Sequence, residues 1–108
     1  MHPTLNVHVT EHAGWAVVTV AGSLDMDTCP YVTETTDALT LRGHALTLDL
    51  SAVTFVDSSA LNMLLILRNR AHAEDGTLEL RGVPAQALRV LDITGTRDLF
   101  ALSPALTS

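Results

Sequence analysis

The chain has 108 residues, 47% of them hydrophobic, which suits one domain with enough apolar side chains for a modest core. Twelve acidic residues stand against six arginines and no lysine, and the formal charge of -6 argues against electrostatic binding to nucleic acid or to an anionic membrane. A lone cysteine, Cys29, excludes an intramolecular disulfide, and with no charged-then-apolar leader and no apolar run of about 18 residues the expected setting is the cytoplasm, without membrane insertion.

Leu5, Val7 and Val9 alternate with Asn6, His8 and Thr10, the two-residue period of a strand with one face in a core. Glu11 to Gly14 can turn the chain into the β-forming run Trp15 to Ala21, so a hairpin is expected. Gly22 breaks the second strand, Asp25, Asp27 and Thr28 offer caps, and Pro30 is tolerated in a first helical turn. This predicts a helix from about Thr28 to Leu41 with Gly43 as its stop, weakly amphipathic through Val32, Thr35 or Thr36, and Leu39.

Leu46, Leu48 and Leu50 alternate with Thr47 and Asp49 and predict a buried strand, followed by Val53, Phe55 and Val56. In Asp57-Ser58-Ser59, short oxygen-bearing side chains can accept hydrogen bonds from the first free N–H groups of a helix, so a second helix starts near Asp57. From Ala60 to Leu67 only Asn62 interrupts the apolar run, and polar relief arrives with Arg68, Asn69 and Arg70. Leu61, Leu64, Leu65 and Arg68 share one stripe, while Ala60, Met63, Leu67 and Arg70 lie largely on another. One stripe suffices for docking on a sheet; the other is covered by neighbouring elements or offers surface to a partner. Asp75-Gly76 ends the helix before a strand at Leu78 and Leu80. Leu88 and Leu91 mark a short helix closed by Gly95, and Leu99 to Leu102 a last strand. The fold class is therefore α/β: about five strands in the sequence β-β-α-β-α-β-α-β, forming a mixed, mostly parallel sheet with helices packed on it and the first strand antiparallel.

Chemistry-bearing residues outside that junction have plain readings. His8 and His12 lie four apart on a predicted hairpin, where that spacing does not converge them on a metal. His72 suits the carboxyl end of the second helix, and Cys29 reads as a small helix-start residue. No Gly-x-Ser-x-Gly elbow and no Gly-rich loop with lysine is present, so no catalytic residue, metal or cofactor is expected.

Taken alone, Asp57-Ser58-Ser59 could be nothing more than a cap. In context, Asp57-Ser58-Ser59-Ala60-Leu61 after a hydrophobic strand and short loop resembles the STAS family, specifically the anti-sigma-factor antagonists, marked by Asp-Ser-Ser/Thr-Gly-Leu opening a helix. Gly22-Ser23-Leu24-Asp25 is similar to the family's Gly-x-Leu-Asp, and Val83-Pro84 through Gly95 to its last crossover helix. The resemblance runs from Leu5 to Leu102 and implies a single STAS-type domain over residues 1–108. It implies phosphorylation of Ser58 by a partner that is both anti-sigma factor and serine kinase, with a serine phosphatase as a further partner. Unphosphorylated, such a protein binds the anti-sigma factor and frees the sigma factor; phosphorylated, it lets the anti-sigma factor go. The expected partner-binding set is Asp25, Asp57, Ser58, Ser59, Ala60, Met63 and Leu67, in a monomer or weak dimer that is not itself an enzyme. The alternative is a non-switching STAS scaffold subunit of a stressosome-like complex or a lipid transporter.

Two departures from the family stand out. Ala60 replaces its Gly, a change favoured in a helix by about 0.8 to 1 kcal/mol, although the methyl group is expected to hinder a kinase and slow phosphorylation. The family usually continues into another helix where this chain has only Ser103 to Ser108, so that helix is expected to be short or missing.

Overall fold

A computed structural model of the chain describes residues 5–106. β1 (Leu5–His12) and β2 (Trp15–Leu24) form the expected antiparallel hairpin, in register from Leu5 opposite Gly22 to His12 opposite Trp15. β3 (Ala45–Val56), β4 (Thr77–Arg81) and β5 (Ala101–Ser103) follow in parallel, and the sheet order is β1-β2-β3-β4-β5. The connections are α1 (Cys29–Asp37), α2 (Ser58–Ala73) and α3 (Ala85–Thr94), with a 3-10 turn at Arg97–Leu99 before β5.

Strand register explains the core. Ala16, Val18 and Val20 of β2, Leu46, Leu48 and Leu50 of β3, and Leu78 and Leu80 of β4 alternate onto one face and are buried, joined there by Val32 of α1, Leu64 and Leu67 of α2, and Leu91 of α3. α2 touches α1 on one side and α3 on the other. Being the middle helix, it has both of its apolar stripes covered: Ala60, Met63 and Leu67 are buried along with Leu64. β3 is long. Its pairing with β4 stops at Asp49 opposite Arg81, while its pairing with β2 continues through two register shifts to Leu24 opposite Val56. The last residues of β3 thus project beyond the β4 side of the sheet.

Several boundaries differ from the sequence reading, beginning with β2, which runs through Gly22 to Leu24 instead of breaking at Gly22. α1 stops at Asp37, not near Leu41, because the Arg70 guanidinium donates to the carbonyls of Thr36 (2.8 Å) and Leu39 (2.9 Å) while the chain turns to bury Leu39 and Leu41. Gly43 accordingly lies in the turn into β3 and ends no helix. The last strand is Ala101–Ser103, since Leu99 belongs to the 3-10 turn. Asp75-Gly76 does end α2, and Gly76 passes so near the carbonyls of Leu41 and His44 that a Cβ there would come within 2.5 and 2.6 Å of them. Residues 104–106 carry no helix, and the rest of the stretch on which a short or missing final helix was expected lies outside the described residues.

Candidate functional site at the β3–α2 junction

The site is built on a helix cap. Asp57 is extended (φ -122°, ψ -171°), and its Oδ1 accepts from the backbone N–H groups of Ser59 (2.8 Å) and Ala60 (3.3 Å). Its own N–H donates to the Leu24 carbonyl (3.1 Å), tying the junction to the end of β2. Ser58 is then the first residue of α2 and is exposed; among the described residues its hydroxyl has no hydrogen-bond partner. Ser59 is half-buried.

Across from the cap, the β2–α1 loop is ordered by Asp25, whose Oδ1 accepts from the N–H groups of Asp27 (2.9 Å) and Thr28 (3.1 Å). The Thr28 hydroxyl donates to the Ser23 carbonyl (2.7 Å) and accepts from the Asp25 N–H (2.9 Å). Thr28 holds the N-cap position of α1 without a side-chain cap bond to that helix, so the polar side chains here brace the loop instead. The Gly22-to-Asp25 and Asp57-to-Leu61 segments, distant in sequence, meet through the Asp57–Leu24 bond.

Three residues of the expected contact surface are buried. Ala60 is 1%, Met63 7% and Leu67 5% exposed, so their side chains belong to the core and not to a free face. The side of α2 left open by its neighbours carries Ser58, Asn62 and Ile66, spaced at four residues. Ile66 is 59% exposed, and Met26, in the loop behind Asp25, is 73% exposed. These two flank a groove of about 570 Å³ between α1 and α2, in which Met63 contributes only to the floor and Glu34 and Asp37 bring negative charge. Helical spacing from Ser58 would have pointed to Asn62 and Ile66; only the fold brings Met26 alongside them.

Cys29 also lines this groove. Burial, reinforced by the Asp57 and Asp25 carboxylates, pushes its thiol from an ordinary 9.0 up to about 11. A thiol held protonated is a poor nucleophile, in keeping with a packing role at the start of α1. Elsewhere, His12 stacks on Trp15 with ring centroids 4.0 Å apart, and His72 lies exposed in the last turn of α2. Among the described residues no three His, Cys, Asp or Glu side chains converge as metal ligands, and no helix is long and apolar enough to cross a membrane.

A family model described as "Mlab, STAS domain" matches residues 7–103. This chain belongs to the STAS-domain family. The STAS match takes in both the Asp25 loop and the Asp57 cap. The anti-sigma-B factor antagonist of Bacillus subtilis is 27% identical over 99 residues, which cover 92% of this chain and 91% of that protein. The protein of the same name from Staphylococcus epidermidis is 30% identical over 96 residues, 88% of this chain and 89% of that one. Among solved structures, an anti-sigma factor antagonist from Mycobacterium paratuberculosis is similar with a TM-score of 0.81 and 31% identity, covering 94% of this chain and 87% of that chain. The unphosphorylated form of SpoIIAA, at 16% identity, shares the STAS fold with a TM-score of 0.76 over 94% of this chain and 89% of its own.

Proposed function

We propose that this STAS domain is an anti-sigma factor antagonist whose grip on its anti-sigma factor is switched by phosphorylation of Ser58. The observation that carries the reading is the Ser58 hydroxyl itself, exposed and free of protein partners among the described residues, on the first residue of a capped helix and beside an open groove. The kinship with anti-sigma factor antagonists over nine-tenths of the chain supports the same partner class. The anti-sigma factor acts as the serine kinase, a serine phosphatase resets the site, and the chain contributes no catalysis and needs no cofactor. It works in the cytoplasm as a monomer or weak dimer.

Docking uses the groove between α1 and α2. A partner side chain of apolar character fits between Met26 and Ile66, and cationic side chains fit beside Glu34 and Asp37. Phosphorylation adds about -1.5 to -2 charges directly after the Asp57 carboxylate and one residue before Ser59, which lines this already acidic groove. A partner closing over the rim must then strip water from a dianion. Asp57 and Ser59 shape the loop that the kinase reads, and Asp25 holds the facing one.

Purification from the native cell with phosphosite mapping tests the assignment. Phosphate on Ser58, together with co-purification of a serine kinase, is the expected result. A Ser58 that stays unmodified under every growth condition, in a chain that co-purifies stably with a transporter ATPase or a large STAS assembly, would overturn it in favour of a non-switching scaffold.

A further inference from the structure

Val56, the last residue of β3, has a main chain that no strand completes. Alternate residues of a strand aim their N–H and C=O groups to opposite sides. The Asp57 N–H points to Leu24 of β2, so the N–H and C=O of Val56 point the other way, to the side where β4 would lie. There β4 has already ended at Arg81, opposite Asp49. The side chain of Gln86 fills the gap: its Oε1 accepts from the Val56 N–H at 2.8 Å, and its Nε2 donates to the Val56 carbonyl at 2.8 Å. One primary amide thereby supplies the donor and acceptor that a neighbouring strand would have offered. Gln86 is the second residue of α3, thirty positions along the chain from Val56. Beside the apolar packing of Ala87 and Leu91 near Val56, it adds a polar tie between α3 and the start of the Ser58 loop.

We infer that Gln86 is a positioning residue for the Ser58 site, holding Val56 so that the Asp57 cap, and with it the Ser58 hydroxyl, keeps one orientation for phosphoryl transfer. The inference rests on the proposed phosphorylation of Ser58. The chain of contacts is short: Gln86 fixes Val56, Val56 is bonded to Asp57, and the Asp57 carboxylate fixes the N–H groups of Ser59 and Ala60 in the first turn of α2. A phosphoacceptor in a folded loop reaches the kinase in whatever pose its own domain sets, and a misplacement of about 1 Å can lower a rate by up to roughly a hundredfold. The groove that docks the partner lies between α1 and α2, on the far side of α2 from α3, so affinity and pose are separable.

Gln86→Met keeps the length of the side chain and removes both hydrogen bonds; Gln86→Glu keeps an acceptor for the Val56 N–H but turns a second oxygen on the Val56 carbonyl. With the cognate kinase, both variants are expected to lose about tenfold in kcat for Ser58 phosphorylation while KM stays near the wild-type value. The backbone amides of Ser59 and Ala60 are expected to exchange hydrogen faster in both, at an unchanged fold as judged by circular dichroism. A wild-type kcat in Gln86→Met, or a loss wholly in KM, overturns the inference, as does wild-type amide exchange at Ser59 and Ala60. If the wild-type chain itself is not phosphorylated, the functional reading fails, and the exchange measurement still decides whether Gln86 fixes the junction.

Discussion

The methyl group of Ala60 faces Leu50, Val56 and Leu91 in the interior between α2 and α3, not the approach to Ser58. The slower phosphorylation expected from Ala in place of the family's Gly therefore loses its steric basis. Ala60→Gly is instead a stability change: roughly 1 kcal/mol of helix propensity and about 0.8 kcal/mol for the lost buried methyl. A drop in melting temperature on the order of 5 to 10 °C, with an unaltered rate of Ser58 phosphorylation, is the expected outcome, and a faster variant would restore the steric view. Cys29 carries a pH signature of its own. Because its folded pKa of about 11 stands above the ordinary 9.0, folding favours the protonated thiol; its contribution to stability is complete below pH 9.0 and declines as pH rises toward 11. Urea unfolding at pH 8 and pH 10 should reveal that decline in the wild type and a flatter profile in Cys29→Ala. At this scale the sequence was readable where interactions are local. The Asp57 cap reaches only two and three residues along the chain, whereas the carboxylates that act on Cys29 come from two separate loops.

Among the elements, α2 is legible to within a residue or two because its cap and its Asp75-Gly76 stop are written in neighbouring residues. The end of α1 is not legible in this way. Its end is set by Arg70, 34 residues from Thr36 and 31 from Leu39, a side chain that in sequence looked like nothing more than polar relief. Arg70 also pairs with Glu74 at 3.0 Å and with Asp37 at 3.5 Å, so one guanidinium ties the close of α1 to the last turns of α2. The carbonyl bonds matter more than the pair with Asp37, which is largely in water, where a screened pair contributes little. Arg70→Met preserves the stem and strips the donors. It should lower stability by about 1 to 3 kcal/mol and speed amide exchange near Thr36 to Leu41; protection equal to wild type there would show that another group closes α1. The same guanidinium reaches Asp37, which lines the groove, so it joins the two helices that wall the proposed docking surface.

Across the whole molecule, strand and helix alternation carried the topology: a hairpin, then three parallel strands in sequential order, with the first strand the antiparallel one. What the pattern could not decide was which stripe of an almost uniformly apolar α2 remains in solvent, because that depends on helices packed on both of its sides. The solvent-facing side of α2 is accordingly not Ala60, Met63 and Leu67, which are buried, but Asn62 and Ile66, with Ser58 exposed on the same side and Met26 nearby, and the proposed docking surface follows it. This arrangement makes the proposed switch a property of the interface and not of the fold. A phosphate on the first residue of α2 faces the positive end of the helix dipole, which offsets repulsion from Asp57 and preserves the helix. Its effect falls on docking, where desolvating the dianion at a cost of about 3 kcal/mol weakens binding on the order of a hundredfold. Ser58→Ala should accordingly hold the anti-sigma factor persistently and Ser58→Asp should bind it poorly, with both melting close to wild type. Calorimetric binding and thermal melts on the same preparations separate the two levels: a Ser58→Asp chain that binds normally, or that loses its fold before its partner, is incompatible with a switch at the interface.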